Sequence, residues 1–352
     1  MSAVGPGVAH AHFGSRWAQE VVEVADDVEC LDREGFWAVV ITFEGKVRCV
    51  RFAQVVKDWR GDGRSQQPRL PPAWAPLLGD WSSSLDTTAY LAGVSRIRDR
   101  IAAGEVYQVS LCRILSHALA EDADLGGLET LVTEGNPAPY AGRVLVPEAG
   151  LDVLGASPEA FLIRSAGRIE SRPIKGTSTT ISTMLAKDYA ENVMIADLVR
   201  NDLSPVCRPG TVSVDALCAP EEHPGLTHLV TTVSGELRPG VSWAEILATT
   251  FPPGSVSGAP KSSALRAIAD LEAVPRGPYC GAIGWVDADT GEAELAVGIR
   301  TFWAEQDVTG QRALRFGTGA GITWASDPAQ EWAETELKAA RLIGLASGRV
   351  GT

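Results

Sequence analysis

Long apolar runs are missing from this sequence. The longest, about Phe36 to Phe43, falls far short of the ~18 residues that a membrane-spanning helix requires, and the N-terminus carries neither the basic nor the apolar segment of a secretory leader. Positive charge is also scarce. Lys and Arg number 31 against 44 Asp and Glu, and the net charge of −13 repels phosphate backbones and anionic lipid. These absences argue against a membrane protein and a nucleic-acid binder, and the expected location is cytoplasmic. The six cysteines, Cys30, Cys49, Cys112, Cys207, Cys218 and Cys280, include no Cys-x-x-Cys pair and have little histidine nearby. Neither a structural zinc site nor a disulfide framework is expected, so the thiols read as reduced and packed. There is no Gly-x-Ser-x-Gly elbow and no Gly-x-Cys-x-Gly of a glutamine-hydrolysing nucleophile, and serine and cysteine hydrolase chemistry recedes accordingly.

What is present is a chain of 352 residues, 45% apolar and 21% charged, the composition of a globular protein with a large α/β unit or two closely packed ones. No repeat and no low-complexity segment is visible. A Pro- and Gly-rich stretch from about Asp58 to Ser84 reads as a connecting segment. Before it, 36–43 and 47–52 read as a hairpin. After it the expected elements are a helix over 87–103 and extended segments over 108–115, 151–163 and 168–174, then a strong helix over 186–203. Next come a helix over 262–272, strands near 280–286, 294–303 and 312–318, and a closing helix over 328–344. Strands outnumber regular βα alternation, so the expected class is α+β, a large mixed or antiparallel sheet flanked by helices.

Several local patterns bear on chemistry. Asp188 and Glu191 lie one turn apart on the helix over 186–203, on the side that continues through Ile195 and Leu198, and Glu331 and Glu334 repeat the spacing on the last helix. Two helices carrying acids in this way suit a hard, oxygen-seeking cation such as Mg²⁺, and each pair alone equally suits a solvated helix face. Phe251 to Lys261 forms a glycine-rich turn before a helix, though Ala259 and Pro260 separate Gly258 from Lys261, so it is no Walker A loop. Gly317-Thr-Gly-Ala-Gly-Ile has glycine at alternate positions, clearing one face of a strand or marking a bulge. In 294–300, strand alternation would put Arg300 on one face with Gly298 and Ala296, a cation placed either to clamp a carboxylate or to sit in solvent at a sheet edge. Lys175 precedes a glycine turn, and His228 borders an apolar run.

Together these pieces resemble the chorismate-utilising enzymes, a family that includes anthranilate synthase component I, aminodeoxychorismate synthase component I, isochorismate synthase and salicylate synthase. The matching stretches fall in family order over residues 86 to 347. They include Gly104 to Leu111, Ser157-Pro-Glu-Ala-Phe-Leu, Pro173-Ile-Lys-Gly-Thr, Ala190 to Leu203, His228-Leu-Val, Phe251 to Lys261, Arg276 to Gly284, Ile299-Arg-Thr, Gly319-Ala-Gly-Ile and the Glu331/Glu334 helix. The resemblance implies the anthranilate synthase component I-like fold, a chorismate-binding catalytic region over 86–347, and a shortened N-terminal β-containing region with a linker over 1–85. Isochorismate and salicylate synthases carry a lysine base where Gln108 stands here. Lys175, where anthranilate synthases carry alanine, marks the aminodeoxychorismate branch.

By that resemblance the chain takes chorismate and ammonia to 4-amino-4-deoxychorismate. The alternatives are an anthranilate synthase component I and a catalytically silent chorismate-binding subunit. Lys175 is implied as the nucleophile at ring carbon 2 and Glu159 as the acid for the departing 4-hydroxyl. Thr177, His228, Ser255, Tyr279, Arg300 and Gly321 are implied as substrate contacts, and Glu191 and Glu334, with Glu331 and Asp188 nearby, as the Mg²⁺ site. With no glutaminase motif in the chain, ammonia is expected from solution or from a separate glutamine amidotransferase subunit.

Overall fold

The computed structural model describes residues 8–57, 73–178, 180–184, 186–223, 226–307 and 309–349, without the side chains of positions 177, 186, 187, 223 and 226. Much of the Pro- and Gly-rich connecting segment, positions 58–72, therefore lies outside the described residues.

The strands form one continuous antiparallel ribbon. It begins with Ser82–Ser83 and Gly258–Ala259, both on Gln108–Ala118, and passes through Arg312–Ile322, Thr301–Gln306, Leu151–Ser157 and Tyr140–Val146. From there it continues to His10–Phe13, Arg16–Ala25, Val47–Val56, Phe36–Ile41 and Ala282–Asp287. Glu292–Val297, Ala160–Ser165, Arg168–Arg172 and Leu226–Glu236 come next, and the last carries Ile174–Ser178 and Ser213–His223. The expected α+β class, with a large antiparallel sheet flanked by helices, holds.

The apolar run at Phe36 is explained by burial on both faces. Phe36, Ala38 and Val40 enter one core, while Trp37, Val39 and Ile41 enter another. A strand covered on both sides has no polar alternation to show. Against one core pack α1 (Thr87–Ala102), through Tyr90, Val94 and Ile97, and α6 (Lys261–Leu271), through Ala264, Ala267 and Ile268. Against the second pack α3 (Ala186–Leu203) and α4 (Trp243–Thr250). A third core joins α2 (Leu125–Gly135) to α7 (Pro328–Ala346). The helix starts follow their caps: Asp86 accepts from the Ala89 amide, Asp327 from those of Ala329 and Gln330, and Ser242 forms a capping box with Glu245.

Two expected strands turn out to be broken. The segment over 151–163 divides into Leu151–Ser157 and Ala160–Ser165, and the segment over 294–303 divides into Glu292–Val297 and Thr301–Gln306. Glu159 sits in the first break and Arg300 in the second, the latter with φ of 54°. The alternation expected to align Arg300 with Ala296 and Gly298 therefore stops short of Arg300, whose left-handed backbone turns it out of the strand.

Candidate active site

Lys175 stands on Ile174–Ser178, and its main chain is clamped from α3. Asn192 is fully buried and its Nδ2 donates to the Lys175 carbonyl at 2.7 Å and to the Asp188 carbonyl at 3.0 Å, while its Oδ1 accepts from Thr231 Oγ1 at 3.1 Å. Gly176 lets the helix come this close. It has φ of 79°, and a Cβ there would lie 2.8 Å from Asp188 Cβ. The side chain of Lys175 reaches the short helix α5 (Gly254–Ser257) that follows α4, where Nζ donates to the Ser255 carbonyl at 2.9 Å.

Ser255 also holds the acid. Its Oγ donates to Glu159 Oε1 at 2.5 Å, and the Ile174 amide donates to the same carboxyl. Glu159 is 4% exposed, and burial pushes its pKa up to about 7 against the opposing pull of the Ser255 hydroxyl and the Lys175 charge. The Lys175 amine and a carboxyl that is protonated up to neutrality thus meet on one residue. Beside Glu159 lies a small cavity with ≈ 20 Å³ of room for water, lined by Phe161, Leu162, Val199 and Leu203 together with Ser171 and Asp202.

The alternating glycines of Arg312–Ile322 clear a face that other side chains fill. A Cβ on Gly317 would lie 2.0 Å from the Tyr279 ring, and one on Gly321 would lie 2.4 Å from Gln108 Nε2 and 3.8 Å from Lys175 Nζ. Tyr279 is buried, which holds its hydroxyl well above the ordinary range. The Arg300 guanidinium is pulled below its ordinary pKa by burial, feels Tyr279 nearby, and donates through Nη1 to the Lys338 carbonyl. His228 is buried and pairs across the sheet with Thr177, whose side chain lies outside the described residues.

The four expected metal ligands lie on two helices, Asp188 and Glu191 on α3, which packs against Ile174–Ser178, and Glu331 and Glu334 on α7, which packs against Arg312–Ile322. Their carboxylate oxygens are the right donors for a hard divalent cation. The Lys338 ammonium engages Glu334 Oε1 at 2.6 Å and the Gly319 carbonyl at 3.0 Å. Among the described residues no three His, Cys, Asp or Glu side chains converge on one point, so a divalent cation here would be held by one or two carboxylates with water or substrate oxygens completing its shell.

Motif reading left out the roles of Asn192 and Lys338. Asn192 had a visible signal, since it stands one helical turn after Asp188 in the quoted motif and an interior asparagine needs a partner.

A family model described as chorismate binding enzyme matches residues 44–344. The chain belongs to this family. It is 35% identical over 303 residues to anthranilate synthase component 1 of Aeropyrum pernix, covering 81% of this chain and 67% of that protein. It is 40% identical over 259 residues to aminodeoxychorismate synthase of Streptomyces pristinaespiralis, covering 70% of this chain but 35% of that protein. The chain thus spans from about a third to two thirds of the length of these family members. The menaquinone-specific isochorismate synthase of Escherichia coli shares the fold, with a TM-score of 0.81 at 17% identity over 98% of this chain and 90% of that one. No helix among the described residues is long and apolar enough to cross a membrane.

Proposed function

We propose that the chain is an aminodeoxychorismate synthase component I, forming 4-amino-4-deoxychorismate from chorismate and ammonia. The observation that carries this reading is the meeting of Lys175 and Glu159 at Ser255, amine on the carbonyl and carboxyl on the hydroxyl. Lys175, once its ammonium has given a proton to solvent, attacks ring carbon 2 through the freed lone pair with allylic shift, and the Glu159 carboxyl gives its proton to the departing 4-hydroxyl, which leaves as water. Ammonia then bonds to carbon 4 through its lone pair, and the carbon–nitrogen bond to Lys175 breaks with its electrons returning to the amine. The surplus proton on the new ammonium passes to the Glu159 carboxylate, which restores the acid. Tyr279 and Arg300 hold the enolpyruvyl carboxylate together with the backbone at Gly321. His228 and Thr177 line the same side of the pocket. Mg²⁺ on Glu191 and Glu334, with Asp188 and Glu331 beside them, would neutralise the ring carboxylate.

The second reading is anthranilate synthase component I, favoured by the similarity to the Aeropyrum pernix protein. Product identity decides. Purified chain given chorismate, Mg²⁺ and ammonium should form 4-amino-4-deoxychorismate, identified by mass spectrometry, and accumulation of fluorescent anthranilate would overturn the assignment.

Ammonium should serve and glutamine should not, because the sequence carries no amide-hydrolysing nucleophile motif. Glutamine use should appear on adding a glutamine amidotransferase subunit; turnover of glutamine by the purified single chain would contradict this.

Activity should also require Mg²⁺. Glu191→Ala and Glu334→Ala should each lose on the order of a hundredfold in kcat/KM with unchanged circular dichroism, since each removes a carboxylate ligand from one ion. Full activity in excess EDTA would remove the metal from the mechanism.

A further inference from the structure

Gln108 is 1% exposed, and neither its Nε2 nor its Oε1 has a hydrogen-bond partner among the described residues. The other buried side-chain atoms without partners, among the described residues, are single N–H groups of arginines and tryptophans, whereas Gln108 lacks a partner at both ends of its amide. Turning the amide over changes nothing, since both positions stay empty. An orphaned buried amide is costly, and it persists where something outside the fold completes it.

Its placement is enforced by two glycines. A Cβ on Gly258 would lie 2.2 Å from the Gln108 carbonyl, and one on Gly321 would lie 2.4 Å from Gln108 Nε2. Any side chain at either position would push Gln108 away. Its amide stands instead around the same point as Lys175 Nζ, which is 3.8 Å from that absent Gly321 Cβ. The unpaired group is thus beside the reacting amine, inside the site.

A carboxamide does not titrate in the working range, so it cannot strip a proton from water. It suits a nucleophile that is already neutral, has a lone pair for the attack and has N–H groups to spare. We propose that Gln108 is the ammonia-binding residue, its Oε1 accepting an N–H of the incoming ammonia while Nε2 faces a substrate oxygen. This rests on the reading of the chain as an enzyme that aminates chorismate, and applies to either ring position.

The test is Gln108→Met, which keeps the shape and removes both polar ends. With chorismate saturating, the KM for ammonium should rise about tenfold or more, the loss of one hydrogen bond to a small ligand, while the KM for chorismate changes by a smaller factor. The unliganded variant should melt at or above the temperature of the wild type, because an unpaired amide has been replaced by an apolar group. An unchanged KM for ammonium, or a rise confined to chorismate, overturns the proposal. So does a clear drop in melting temperature, which would mean that the amide is satisfied within the fold. If the wild-type chain aminates chorismate and the variant matches it, this inference alone fails. If the wild type forms no aminated product, the functional reading fails and this inference with it.

Discussion

Replacing Lys175 with alanine is expected to cut formation of 4-amino-4-deoxychorismate on the order of a thousandfold or more, with the fold preserved. The fold survives because the clamp on this strand is to the Lys175 backbone, through Asn192, and not to its side chain. What is lost is the amine held at 2.9 Å from the Ser255 carbonyl, next to the hydroxyl that engages Glu159. With that amine gone, ring carbon 2 is no longer occupied. Any nucleophilic addition that survives should shift toward carbon 2, which product analysis by mass spectrometry reads directly. The positive charge of Lys175 also pulls the Glu159 pKa down, so its removal should move the high-pH limb of the residual activity, set by Glu159, upward. A substrate-derived adduct on the peptide bearing Lys175, trapped with chorismate in the absence of ammonia, would show the covalent step itself. Unchanged 4-amination by Lys175→Ala would exclude that step and leave the lysine as a charge in the pocket.

The parts of this site that could be read from sequence are those that follow helical or strand periodicity. The helix carrying Asp188 and Glu191 was expected over 186–203 and is found at Ala186–Leu203, since its apolar positions repeat at the helical spacing. The closing helix and the alternating glycines were equally legible. The breaks in the strands were not read: Pro158 in Ser157-Pro-Glu-Ala is a break signal that the flanking apolar segments outweighed, whereas Val297-Gly-Ile-Arg keeps an apolar character while the backbone departs from the strand. Those breaks carry Glu159 and Arg300, so periodicity hides two of the positions proposed for the chemistry. The long strands Ser213–His223 and Leu226–Glu236 were missed for a related reason. Register shifts at Val214/Ala216 and Ala216/Ala219, with Cys218 at φ of 52°, disrupt the alternation that would announce a strand. In α2, Leu125, Leu128 and Val132 fall on one helical face, but Gly126 and Gly127 depress its propensity and obscured it. The pairing of Lys175 with Glu159 through Ser255 joins three segments far apart in sequence, and no local pattern encodes it.

Glu159→Gln should lose about 10²- to 10⁴-fold in kcat, the usual worth of a positioned general acid. The amide fits the same place: its oxygen can accept from the Ile174 amide while the Ser255 hydroxyl turns to accept from its nitrogen, so the loss reports the missing proton and not a collapsed pocket. In the wild type the donor is the protonated carboxyl, and with a pKa of about 7 its fraction falls as pH rises through neutrality, so the rate should fall there. Stability should move with it. Burial raises the carboxyl pKa above its unfolded value of 4.5, so the folded state binds more protons between 4.5 and about 7, and stability drops across that window as pH rises. Above it, the buried charge costs the wild type on the order of 3 kcal/mol that Glu159→Gln does not incur. The inactive variant should therefore melt higher than the wild type in mildly alkaline buffer and close to it at about pH 4, near the unfolded carboxyl pKa. A variant that keeps more than about a tenth of the wild-type rate would remove Glu159 as the acid. A melting difference that does not depend on pH would instead mean that its carboxyl is not held protonated by burial, and the chemistry at the 4-hydroxyl would need another proton source.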